Sequence, residues 1–167
     1  LQMNHLLELG HRRILYLREQ FDQYQSMTEF SRIIDYHRIM AKNNLQVPEH
    51  WHTIYPSGKL NENLELAFSR EPTPTALIIS DWEAPVAFAF LWKHNLTIGK
   101  DVSVVATDGC SYLNLVSPTV STTVMNSVQI SEDAWHMLDR QFKGAKDFEC
   151  QEVEISFRQG ESSGRIQ

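Results

Sequence analysis

Three groups of side chains in this 167-residue chain could grip a polar small molecule. The β-branched run Asp101–Gly109 ends in Asp108 followed by glycine, Arg32 stands near the start of an amphipathic stretch, and Ser80 and Trp82 follow the apolar run Thr75–Ile79. A carboxylate supplies acceptors, a guanidinium supplies a five-donor fork, and an indole can cover the apolar face of a sugar ring; together they suit a polyhydroxylated ligand. Plainer roles remain open for each residue. Arg32 could lie on a solvated helix face, and Asp108 could be an ordinary turn residue, since Asp before Gly is a common turn pair.

Other chemistries find little support. No P-loop, GxGxxG, GxSxG or HExxH pattern occurs, so the readable catalytic and cofactor motifs are absent and no cofactor is expected. His50 and His52 flank Trp51 with no third ligand nearby, which reads as a surface pair rather than a metal site. Asp81 and Glu83 could be a pair of acid and base carboxylates, but in the first turn of a helix they serve the cap and the dipole. Cys110 and Cys150 lack CxxC spacing, which speaks against zinc and a disulfide framework and for reduced thiols in a cytoplasmic protein.

The elements that must position the three groups follow from periodicity. Val102, Val104, Val105 and Ala106 form a near-continuous apolar run, as expected of a central parallel strand covered on both faces, and Asp108 falls at its carboxyl end. Residues 1–10 read as the end of a helix, with Met3, Leu6, Leu7 and Leu9 at helical spacing and Gly10 as cap. Arg13–Leu17 reads as a strand, followed by a polar loop and a capping box, Ser26 with Glu29. The helix it opens places Phe30, Ile33, Ile34, His37, Met40 and Ala41 on one stripe. His52–Tyr55 is a weaker strand, and Asn61–Ser69 a helix with Leu60, Leu64, Ala67 and Phe68 inward.

Thr75–Ile79 is a further strand, and a second capping box, Ser80 with Glu83, opens a helix over Ala84–Trp92. That helix is apolar on nearly every side, so it needs a partner surface beyond its own sheet. Ser121–Val124 reads as a strand, residues 128–142 as a helix with Ile130, Ala134, Met137, Leu138 and Phe142 on one side, and Glu149–Phe157 as a final strand. The tail from Gly160 is polar and reads as loose. Strand and helix alternate along most of the length, which specifies an α/β protein with a parallel, doubly wound, Rossmann-like sheet.

The totals agree with one domain able to bury about 70% of its unfolded surface. A net charge of -6 gives no general attraction to phosphate backbones, so this segment by itself is not expected to bind nucleic acid. No apolar run approaches the roughly 18 residues that span a bilayer, and no membrane association is expected.

Five segments in register, His5–Ile14, Arg32–Tyr36, Pro74–Asp81, Asp101–Asp108 and Ser117–Thr122, resemble the effector-binding domain of LacI/GalR-type bacterial transcription regulators. The resemblance covers almost the whole chain. It implies one lobe of a two-lobe, periplasmic-binding-protein-like sensor that holds a small effector, most often a sugar, and controls DNA binding by a separate N-terminal domain. Carried over by position, Arg32 matches the effector-contacting arginine, Ser80 the position usually held by Asn, Asp108 the aspartate of the strand end, and Met125 lies near a position usually held by Gln; Trp82 joins them as the aromatic. Asp35 and Ala106 stand where the family has glycine, and these departures leave the effector's identity open.

The resemblance further implies a homodimer, with Val86, Phe90, Leu113 and Leu115 as interface candidates. Burial of the helix within its own lobe is the alternative for those residues. It also implies a division of the chain: residues 1–10 as a helix ending the first lobe, 11–124 and 148–158 as the second lobe, 125–147 as a helix returning to the first, and 159–167 as a flexible tail. On that reading the chain is part of a longer regulator, and the two outlying helices pack on something other than this lobe's sheet. Rival readings are an extracytoplasmic sugar-binding protein of a transport or chemotaxis system, an enzyme on the same layer, and a dimerisation module with no working pocket.

Overall fold

The computed structural model describes residues 1–20, 27–146 and 150–166, with side chains from residue 30 onward in the second of these segments. The Ser26–Glu29 capping box lies outside the described residues. The elements in chain order are α1 (Gln2–Glu8), β1 (Ile14–Tyr16), β2 (Arg18–Gln20), α2 (Met27–Lys42), β3 (Ile54–Pro56), α3 (Leu60–Phe68), β4 (Ala76–Ile79), α4 (Ala84–Lys93), β5 (Ser103–Ala106), β6 (Ser121–Met125), α5 (Ser127–Phe142) and β7 (Ile155–Arg158). Short 3-10 turns at Asp81–Glu83 and Ser111–Leu115 interrupt the connections. The main sheet runs β1-β4-β5-β6-β7; the first four strands are parallel and β7 is antiparallel to β6.

β4 and β5 are buried at every residue because the sheet carries a core on each face. Leu15, Leu17, Leu77, Ile79, Val104 and Ala106 meet α3 and α4, whereas Ile14, Tyr16, Ala76, Ile78 and Val105 meet α1 and α2. Successive strand residues point to opposite faces, so two covered faces require apolar side chains at both parities. This is why the run 102–106 lacks the alternation of a half-exposed strand. β5, expected to be central, is the third of five strands.

Several expectations require correction. Helix α1, expected to pack on something other than this sheet, packs on it: Met3 and Leu6 are buried against the second core with Ile14 and Ile78. A helical stripe in sequence shows that a helix packs, but not on which sheet. Helix α2 buries Tyr36 and Met40, while Phe30, Ile34, His37 and Ala41 of the expected stripe are exposed, because the helix meets the sheet along the row 36–40. The weak strand near residue 54 pairs outside the main sheet, in a two-stranded parallel ribbon with β2. Helix α5 forms where expected, capped by the Asn126 side chain accepting from the Gln129 N–H at 3.1 Å, and buries no residue of its own.

The expected flexible tail, 159–167, is also overturned across its described part. Ser162 is fully buried; its N–H donates to the Thr119 carbonyl at 2.9 Å, its carbonyl accepts from the Val104 N–H at 2.7 Å, and its Oγ donates to the Val104 carbonyl at 2.6 Å. Ser163 Oγ lies 2.8 Å from His5 Nε2 and 2.6 Å from Ser121 Oγ. The small residues are required by close approach: a Cβ on Gly160 would sit 2.4 Å from the Thr119 carbonyl oxygen, and one on Gly164 2.2 Å from that of Gly99. Polar composition here marks buried backbone pairing rather than solvation.

Buried His11 clamps this tail, with Nδ1 3.1 Å from Thr75 Oγ1 and Nε2 3.0 Å from the Gly164 carbonyl oxygen. Burial is the main reason that its pKa lies below the usual 6.5, with the Gly164 bond opposing the shift. The unfolded chain therefore takes up this proton more readily than the folded one. Stability is fully present above pH about 6.5 and is lost as pH falls through that value toward the lower folded pKa. The contribution is read as a difference: as pH falls from about 7.5 to about 5.5, the urea midpoint of a His11→Gln variant is expected to move in the stabilising direction relative to that of the parent protein.

Candidate ligand-binding crevice

The chain turns to opposite faces after neighbouring strands: α2, which follows β1, joins the core of one face, and α4, which follows β4, joins the other. In an open α/β sheet such a reversal leaves a crevice at the carboxyl ends of the strands. A cleft of about 370 Å³ opens there, and Tyr16, Arg32, Thr107, Asp108, Thr123 and Met125 are among its walls.

Asp108 adopts a left-handed backbone conformation, φ 70°, and Gly109 follows at φ 68°. Asp tolerates this region better than most residues. Glycine is needed next, because a Cβ there would lie 2.9 Å from the Thr123 carbonyl oxygen. The turn swings the carboxylate off the strand axis, where Oδ1 accepts from Arg32 Nη2 at 3.3 Å and Oδ2 from Thr107 Oγ1 at 3.4 Å. The Asp108 N–H donates to Thr123 Oγ1 at 3.3 Å. Arg32 and Asp108 are 37% and 34% exposed, and an ion pair this wet contributes about 0–1 kcal/mol to stability. Its polar groups stay accessible to a ligand.

A buried carboxylate holds this turn in place. Asp81 Oδ2 accepts from the Cys110 N–H at 2.6 Å, while Oδ1 is buried and, among the described residues, has no hydrogen-bond partner. Burial, more than any other influence, pushes its pKa up, with the charge of Asp108 adding to the rise. Asp81 thus does more than favour a helix dipole.

The other expected contacts lie outside the cleft. Ser80 is buried, its Oγ accepts from Arg18 Nη1 at 2.8 Å, and its N–H donates to Glu83 Oε2 at 2.5 Å within the capping box. Trp82 is half exposed beneath the Arg18 guanidinium, 5.4 Å from ring centroid to Cζ. Of the five residues expected to meet an effector, the structure therefore gathers Arg32, Asp108 and Met125 and leaves Ser80 and Trp82 beside the cleft. Residues that sequence reading missed are Tyr16, Thr107, Thr123 and Arg18; the three uncharged ones looked like strand residues, and Arg18 carried no motif.

Among the dimer candidates, Val86 and Leu115 are exposed, but Phe90 and Leu113 are buried in the core against α3 and β5 neighbours. Phe90 packs on Phe68 with ring centroids 5.5 Å apart, so both faces of α4 could not be free. His50 and His52 are not a surface pair either. The backbone there is not a strand, so His50 turns inward to the Arg70 carbonyl oxygen at 3.1 Å while His52 stays exposed. Both cysteines are unpaired and exposed.

Glu83 is buried beneath this cluster, hydrogen-bonded by the Tyr55 hydroxyl and the Ser80 N–H. Burial dominates its pKa and lifts it to about 8, against the opposing Ser80 bond and Arg18 charge; Glu19 adds to the rise. The folded chain thus binds this proton more tightly than the unfolded chain. That contribution to stability is complete below the unfolded pKa, about 4.5, and is lost as pH rises through about 8. A Glu83→Gln variant is expected to keep more of its pH 6 stability at pH 8.5 than the parent protein, read from denaturant midpoints at the two pH values.

The family of periplasmic binding protein-like domains matches residues 3–163. A probable HTH-type transcriptional regulator, EndR of Paenibacillus polymyxa, is 25% identical over 137 residues, which is 80% of this chain and 39% of that protein. The dimeric Lac repressor with an 11-residue C-terminal deletion superposes with a TM-score of 0.82 at 20% identity, over 100% of this chain and 61% of the repressor. The Escherichia coli transcriptional repressor ascG gives 0.81 at 20% identity, over 98% and 59%. A LacI-family sugar-binding regulator of Escherichia coli, complexed with phosphate, gives 0.80 at 18%, over 98% and 59%. The chain thus spans about two fifths of the curated relative and about three fifths of these solved chains.

Proposed function

This chain belongs to the family of periplasmic binding protein-like domains, and from that premise we propose that it is the effector-sensing part of a LacI/GalR-type transcription regulator, binding a sugar or similar polar metabolite without altering it. The observation that carries the reading is the Arg32–Asp108 pair in a cleft at the carboxyl ends of parallel strands. Paired donors and acceptors that keep solvent contact can exchange water for ligand hydroxyls at little structural cost. The likeness to a regulator and to repressor structures supports the same reading.

Further parts of the proposal follow from packing. The lobe comprises α1 and the five-stranded sheet with its covering helices, including the Ser162 segment. Helix α5, whose apolar row Val128, Trp135, Leu138 and Phe142 is exposed, reaches toward the other lobe. Exposed Val86 and Leu115 lie where a homodimer would form, with Trp92 and Tyr112 replacing buried Phe90 and Leu113 in that surface. DNA binding falls to a separate N-terminal domain, and the regulator works in the cytoplasm.

Among the described residues no helix is long and apolar enough to cross a membrane. The test is thermal. A saturating effector, near 100 times its dissociation constant, adds about 2.7 kcal/mol, which raises Tm by about 5–10 °C for a chain of this size. Asp108→Ala is expected to abolish that rise while lowering the unliganded Tm by about 2–8 °C, because the pair it breaks is exposed and the main cost is the left-handed backbone, which alanine adopts less readily than aspartate. A set of sugars none of which raises the parent Tm would remove the reading.

A further inference from the structure

We infer that the phenol of Tyr16 is a specificity-determining group of the crevice, a hydrogen-bonding hydroxyl held open for a hydroxyl of the ligand. The inference rests on the effector-binding reading and adds a residue on the floor of the same cleft. Tyr16 is the last residue of β1, and its ring lies against Tyr36 with centroids 5.7 Å apart. The two stacked phenols meet different ends. Tyr36 donates its hydroxyl to the Ile14 carbonyl at 2.9 Å, a bond sealed within the core. The Tyr16 side chain is only 6% exposed, yet among the described residues its hydroxyl makes no hydrogen bond.

That hydroxyl is nevertheless not sealed from solvent, so its donor and acceptor capacity is open to whatever fills the adjoining space. What adjoins Tyr16 is the cleft that it shares with Arg32 and Asp108. Burial keeps the phenol neutral, with a pKa above 10.0, even though Arg32 and Arg18 pull it down while Glu83 and Asp108 push it up. A neutral phenol both donates and accepts, so it matches a sugar hydroxyl better than a fixed charge would. Arg32 and Asp108 offer only donors and only acceptors respectively; Tyr16 adds the group that reads a hydroxyl as such. Phenylalanine in its place would keep the ring and its stacking on Tyr36.

The experiment is calorimetric titration of the intact protein and its Tyr16→Phe variant with D-glucose, D-galactose, D-ribose and their 2-deoxy and 6-deoxy analogues. The expected result is a sugar that binds the parent and is held about five- to tenfold more weakly by Tyr16→Phe. Removing one particular hydroxyl from that sugar should weaken the parent by a similar factor and leave the variant unchanged. A variant that binds the sugar as tightly as the parent overturns the inference, as does one that weakens sugar and every deoxy analogue alike. In those two cases loss of binding in Asp108→Ala still leaves the effector reading standing. If no sugar binds the parent protein, the inference and the sugar reading fall together.

Discussion

The ladder of β5 is the constraint on which the other parts of the fold depend. A central strand must pair its backbone on both edges, because buried N–H and C=O groups left open are costly. β4 runs along one edge for the full strand, but β6 joins the other edge only at Val105 and Ala106. Where β5 and β6 separate, Ser162 fills the gap: it binds both Val104 backbone groups, and its Oγ accepts from the Ser121 N–H at 2.9 Å. The chain end is thereby part of the sheet interior. His5 and His11 then connect α1 and the start of β1 to that segment, so the two ends of the described chain stabilise one another.

A complete ladder also makes the carboxyl ends rigid enough to present a site. Asp108 keeps a left-handed backbone because Thr123 holds its N–H, Gly109 admits the β6 backbone, and buried Asp81 holds Cys110. Next to it, Arg18 and Glu83 sit in a separate buried cluster with Ser80 and Tyr55. The two arginines therefore play different parts. Arg18 is tied into the scaffold, while Arg32 shares an accessible pair, and only the second geometry leaves polar capacity for a ligand.

Much of this was legible in the residue pattern, and the failures share a cause. The strand 102–106 and Asp108 at its end followed from apolar runs and strand length, which are local. The helix over residues 84–92 is apolar on nearly every side in sequence, but which of its residues are free depends on Phe68 and the core behind, which are distant in sequence. Ser162 and Gly164 looked like a solvated tail, because serine and glycine give the same composition to a loop and to a segment threaded between strands. The position of Ser80 after its strand points to a ligand, but its hydroxyl is occupied by an arginine 62 residues away. Tyr16 gave no signal at all, since an aromatic in a strand reads as core until its hydroxyl is found without a partner.

The exposure of the Arg32–Asp108 pair links stability to recognition. With water around it, the pair interacts through a high dielectric and adds little to folding. A ligand filling the cleft removes that water, so each remaining charge acts through a lower effective dielectric and the pair strengthens as the ligand binds. The strengthening is available only if the ligand's own polar groups replace the water contacts that Asp108, Arg32 and Tyr16 lose; an apolar ligand of the same size would leave them buried and unsatisfied. On the proposed reading, the cleft would therefore select hydroxyl-rich ligands through the cost of failing to pair its side chains as much as through the bonds it makes.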